Sequence, residues 1–174
     1  MKTLISWSEI GELQKTKRDF AYEIFERVHA YIYAPGIADS LACLKQLPIG
    51  YQTIYSTFVA EGEICNGGFY QYYGNSTAQD FNDLATAGFS RIGATTTAAI
   101  LRLAFGEILS QSPTFRNEYQ TIGIQDAFNK ATDIYDEIDI DFDDNFYTAL
   151  DSDDVTQRRF DYVLNNYSDF VAVP

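Results

Sequence analysis

The chain has 174 residues, with 25 acidic side chains against 12 basic ones, a formal net charge of −13 and a pI near 4.2. That length fits one domain able to bury its own core. A hydrophobic fraction of 46%, with 13 Tyr and 13 Phe, excludes a disordered acidic tail, and the charge has the wrong sign for direct binding to a phosphate backbone.

The pattern reads as helix nearly throughout, so a single all-α, multi-helix domain is expected. At the N-terminus, Lys2 is followed by a short apolar run and then by Glu9 and Glu12, which is not a signal peptide. Ser6 and Glu9 have capping-box spacing, and Ile10, Leu13, Ala21, Ile24, Val28 and Ile32 form an apolar stripe. Pro35-Gly36 stops this first helix. A short second helix fits Ile37 to Leu47, ended by Pro48, and a third carries Tyr51, Ile54, Tyr55, Phe58 and Val59 before Asn66-Gly67-Gly68. Further helices fit roughly 78–92, 95–110, 124–138 and 152–166, with short links at Gly93, Pro113 and Gly123. No stretch approaches the roughly 20 apolar residues of a membrane span. Cys43 and Cys65 are too few for a disulfide framework and read as buried, reduced thiols of a cytoplasmic protein.

The charge is uneven. Residues 1–117 hold 11 acids and 9 bases, whereas residues 118–174 hold 14 acids and 3 bases. Within the C-terminal third, residues 133–154 contain ten acids and no base. On a helix over 124–138, Ile124, Ala127, Phe128, Ala131, Ile134, Tyr135 and Ile138 share one face, and Asp126, Asp133, Asp136 and Glu137 fall opposite. Beyond it, Asp139-Ile140-Asp141-Phe142-Asp143 alternates strictly, which predicts an extended or turning segment.

Chemical constellations are sparse. Asp139, Asp141 and Asp143 match the first ligand positions of a calcium loop, but the sixth position is Asp144 and the twelfth is Leu150, so no metal site is expected. His29 is the only histidine and reads as a satisfied or surface imidazole, with a Cys–His pair through Cys65 as the less favoured reading. Glu61 and Glu63 stand two apart and so point away from each other on a helix. Gly67-Gly68 lacks the Lys and Ser/Thr of a phosphate loop, and Phe69 to Tyr73 lacks the basic groove that base stacking needs. No cofactor and no catalytic residue are expected.

Asn66, Gly67, Gly68, Phe69, Gln71, Tyr72 and Asn75 complete an Asn-Gly-Gly-Phe-x-Gln-Tyr-x-x-Asn signature. The segment from about residue 40 to 110 resembles a bacterial family of small all-helical domains that carry this signature. One characterised member is a dimeric, strongly acidic DNA mimic of about this size. The resemblance implies a homodimer whose carboxylates stand in for DNA phosphates, and a partner that is a helix-turn-helix repressor kept off its operator. It transfers no contact residue, and the signature itself reads as structural.

The residues support mimicry to a degree. A helix spanning 133–154 would be about 33 Å long, so ten acids would approach the charge density of one DNA strand, with a phosphate about every 3.4 Å. The expected partner surface is Asp126, Asp133, Asp136, Glu137, Asp139, Asp141, Asp143, Asp144, Asp151, Asp153 and Asp154. An alternative acidic surface comprises Glu9, Glu12, Asp19, Glu23 and Glu26, diluted by Lys15, Lys17, Arg18 and Arg27. The alternative function is an enzyme or small-ligand domain with a pocket near Glu63, Cys65 and Gln71.

Overall fold

Hydrogen bonding to Ser6 starts the first helix of the computed structural model, which describes residues 4–15, 20–75, 79–111 and 141–170. The Ser6 amide and hydroxyl donate to Glu9 Oε2 at 2.8 and 2.7 Å, and the Glu9 amide returns a bond to Ser6 Oγ at 3.3 Å. This is the expected capping box. It opens α1 (Trp7–Lys15), and α2 follows over Phe20–Ile32. The one helix read over this stretch is therefore described as two, with residues 16–19, Asp19 among them, outside the described residues. Its apolar stripe does face the core: Ile10, Ala21, Ile24, Val28 and Ile32 are buried.

Ser6, followed by Arg27, holds the Glu9 carboxyl down at about 2, against an ordinary 4.5. A depressed carboxylate contributes stability that is complete above its unfolded pKa and is lost as pH falls through the folded one. The start of α1 should therefore loosen between about pH 4.5 and 2. An NMR titration of the Glu9 carboxyl carbon should give a midpoint near 2, and Ser6→Ala should move it towards 4.5. An unmoved midpoint in Ser6→Ala would refute the assignment of cause.

Asp39 Oδ1 accepts from the Ala42 amide at 2.9 Å and caps α3 (Ser40–Lys45). The long helix α4 (Ile49–Asn75) is the spine, and it contacts α2, α3, α5 (Gln79–Arg91) and the 3-10 turn Tyr167–Phe170. Helix α5 leads to α6 (Thr95–Gln111), which packs on α7 (Phe142–Asp153), and α8 (Val155–Asn165) returns against α2. Among the described residues the regular elements are all helical, and no helix is long and apolar enough to cross a membrane. The helix read over 124–138 lies outside the described residues.

Two expectations change. The third helix does not stop at Asn66-Gly67-Gly68; α4 breaks its backbone there, at Gly68 with φ 71°, and continues to Asn75. The alternating segment from Asp139 is not extended beyond Asp141, which is the N-cap of α7 and accepts from the Asp144 amide at 2.9 Å. Phe142, Phe146 and Ala149 are buried, a helical spacing that the shorter window of alternation concealed.

Candidate functional site

The described part of the acidic C-terminal third lies on α7, on α8 and at their junction. Its carboxylates do not share one role. Asp141 caps α7, and Asp154 caps α8 by accepting from the Gln157 amide at 3.4 Å. Asp154 is also the C-cap of α7, in left-handed conformation at φ 49°, which Asp tolerates better than most residues. Asp144 and Asp151 are exposed and lie seven residues apart on α7, hence on one face and about 10.5 Å apart along the axis. That separation matches three phosphate intervals of about 3.4 Å.

Asp153 and Asp143 do not belong to an open acidic surface. Asp153 is only 6% exposed, and its Oδ2 accepts from the Thr97 amide at 2.8 Å and the Thr97 hydroxyl at 3.0 Å, capping the first turn of α6. Burial pushes its carboxyl up, but the hydrogen bonds from Thr97 and Thr96 outweigh it and leave it below the usual range. Asp143 is half-buried, and its Oδ1 accepts from the Phe69 amide at 2.9 Å. Asp126, Asp133, Asp136, Glu137 and Asp139 lie outside the described residues.

Asp143 explains half of the glycine signature. A break in α4 exposes the amides of a new helical start at Phe69, and a carboxylate from α7 supplies the missing cap. A Cβ on Gly68 would collide with the Asp143 carboxylate, and the φ of 71° is itself strained for an L-residue. Gly68→Ala should therefore cost about 2–4 kcal/mol by denaturant unfolding, combining backbone strain with loss of the cap. Gly67→Ala should cost less, because its φ of −156° is open to any residue and the added Cβ would crowd the Gln71 side chain, at Oε1 and Cβ, without displacing a helix cap. Equal losses in the two variants would disprove this division.

The other half of the signature holds a polar relay. Asn66 Nδ2 donates to Gln71 Oε1 at 2.9 Å, and Gln71 Nε2 donates to Glu63 Oε2 at 2.7 Å. Phe69 and Tyr72 are fully buried, and Phe69 meets Phe142 and Phe146 edge-on, locking the second part of α4 onto α7. Asn75 closes α4.

Sequence reasoning missed the buried ion pair beneath the acidic face. Arg159 of α8 is 1% exposed and pairs with Glu61 of α4. Its Nε donates to Thr57 Oγ1 at 3.0 Å, and its guanidinium lies 4.0 Å from the Phe58 ring centre. Above the pair, a hollow of about 370 Å³ is bordered by Glu61, Cys65, Tyr147, Asp151 and Asp154, with no Lys or Arg on its described lining. With Glu61 engaged by Arg159, the exposed Asp151 and Asp154 at its border can receive a cationic side chain.

The residues proposed for a pocket near the glycine turn separate. Cys65 borders the acidic hollow, whereas Glu63 lines a second cavity of about 350 Å³ between α2, α3, α4 and the start of α5. His29 lines that second cavity too, so no Cys–His pair forms. Cys65 is exposed and Cys43 half-buried, against the expectation of two buried thiols. Partial burial, then the charge of Glu61, pushes the Cys65 thiol up, which disfavours the thiolate a nucleophile needs. Among the described residues no three His, Cys, Asp or Glu side chains converge as metal ligands. The alternative acidic surface on α1 and α2 is partly neutralised, since Arg27 bonds both Glu9 and Glu23 at 2.9 Å.

The family model of DMP19-like proteins matches residues 45–166. The chain belongs to the DMP19-like family. No curated protein and no solved structure matches it. The match to the DMP19-like model runs from the end of α3 to the C-cap of α8, so it takes in the broken helix, the Asp143 cap, the Glu61–Arg159 pair, the acidic hollow and only the α4 and α5 side of the second cavity. It leaves α1, with its capping box, and the whole of α2 outside the DMP19-like region.

Proposed function

We propose that this DMP19-like protein is an acidic mimic of DNA: it binds a DNA-binding protein, of helix-turn-helix repressor type, and keeps it off its operator. The observation that carries the reading is the pair of exposed carboxylates Asp144 and Asp151 at phosphate-like spacing on α7. Asp141 and Asp154 flank them, and the hollow bordered by Glu61 lies beside them. The helix fixes these charges in space, as a phosphate row requires, and the excess of acids over bases in residues 118–174 gives a field attractive to a basic surface. The family resemblance supports the same reading and adds a homodimer, which would double the acidic row. Neither a catalytic group nor a cofactor enters this function.

The experiment is competition. The protein should displace labelled operator DNA from its regulator at low salt and lose affinity at least about tenfold between 50 and 200 mM salt. Operator that stays bound at saturating protein would overturn the proposal.

A further inference from the structure

The second cavity is not used by the DNA-mimic reading. Phe25 and His29 of α2 and Tyr33 just past its end, each four residues apart, form one side of it, and Tyr55 and Phe58 of α4 form another. The rings pack into a continuous wall: Phe25 and Tyr55 stack with centres 5.3 Å apart, Phe25 and Phe58 meet at 5.4 Å, and His29 and Tyr33 at 4.7 Å. Its polar edges are engaged internally, since His29 Nδ1 and the Tyr55 hydroxyl stand 3.3 Å apart. The charge on the described lining comes from the carboxylate of Glu63, and no Lys or Arg stands among those lining residues.

The position of Glu63 is not left to chance. Gln71 donates to its Oε2, Asn66 orients Gln71 by donating to Oε1, and Gly67 leaves the room that the Gln71 amide occupies. A Cβ on Gly67 would stand 2.5 Å from Gln71 Oε1. The polar residues of the signature thus converge on one carboxylate at the wall of an aromatic cavity.

The chemistry of this lining selects its ligand. An anion meets Glu63 and the net charge of −13. An uncharged apolar molecule would cover the Glu63 carboxylate without offering it a countercharge. A metal ion finds only Glu63 and His29, too few ligands to replace its water. An organic ammonium satisfies both features, its positive charge facing Glu63 and its methyl or methylene groups facing the rings. A volume of about 350 Å³ suits a small molecule.

We propose that this cavity binds a small organic ammonium ion, and that Asn66 and Gln71 are positioning residues that hold Glu63 for it. The test uses choline and its uncharged carbon isostere, 3,3-dimethylbutan-1-ol, titrated into the intact protein and followed by NMR. Choline should shift the resonances of Phe25, His29 and Tyr55, and the isostere should bind about tenfold more weakly. Glu63→Gln should abolish that preference and Gln71→Leu should reduce it, while melting curves report whether each variant stays folded. The preference in the unaltered protein decides the question even where a variant unfolds. Equal binding of choline and isostere, shifts confined to other surfaces, or no shifts at all would overturn the proposal. None of these outcomes bears on operator displacement, so the two readings fail separately.

Discussion

Replacing Arg159 by leucine is expected to destabilise the fold by about 3–5 kcal/mol, the cost of breaking a buried ion pair from one side. Arg159 is 1% exposed, held between Glu61, the Thr57 hydroxyl and the faces of Phe58 and Phe89, so its loss removes a charge partner, a hydrogen bond and ring contacts together. Glu61, whose side chain is 30% exposed, would be left beside an apolar group at the floor of an already acidic hollow. For a domain of this length each kcal/mol corresponds to about 2–4 °C in melting temperature, so thermal unfolding should register the change clearly. The double variant Arg159→Leu with Glu61→Leu should recover much of the loss, because replacing both partners removes the uncompensated charge. If the single variant unfolds within about 0.5 kcal/mol of the parent, the pair is not a structural anchor.

The second large effect concerns binding. Changing Asp141, Asp144, Asp151 and Asp154 together to asparagine should weaken regulator binding at least about hundredfold in the competition assay, and flatten its salt dependence. Asparagine is the informative substitution. Asp141 and Asp154 are N-caps, and asparagine caps a helix as well as aspartate does, so the charge is removed while α7 and α8 keep their starts. Unchanged melting together with lost binding would place the phosphate surrogates on this face. Unchanged binding would move them elsewhere: to Asp126, Asp133, Asp136, Glu137 and Asp139, outside the described residues, or to the first two helices, where Arg27 already engages Glu9 and Glu23. Asp143→Asn and Asp153→Asn serve as the contrast. They should affect stability more than binding, because Asp153 is buried, Asp143 is half-buried, and each carboxylate accepts the amide of another helix, whereas Asp141 and Asp154 cap their own helices and stay exposed.

Much of this architecture was legible in the sequence. Ser6 and Glu9 announced a helix start through a spacing of three, because both halves of a capping box lie within one turn. Pro48 and Gly93 bounded helices for equally local reasons. Helix α7 was not legible, because Asp141 to Asp143 alternates as a strand does, and only the spacing of Phe142, Phe146 and Ala149 betrays the helix. The aromatic cavity was half visible. Phe25, His29 and Tyr33 recur every four residues and so share one side of α2 and the turn that ends it, but what α4 sets opposite them is a matter of packing.

What the sequence by itself determined is where the negative charge lies along the chain, that the domain is all-helical, and how its first helix is capped and turned towards the core. Local spacing suffices for these, since capping and amphipathicity act within a turn or two. What only the tertiary structure decided is what each carboxylate does. The amide that occupies Asp153 comes from Thr97, 56 residues away, and the one that occupies Asp143 comes from Phe69, 74 residues away. A carboxylate drawn inward onto the amide of another helix cannot meet a partner, and such amides are brought by packing, not by neighbours in sequence.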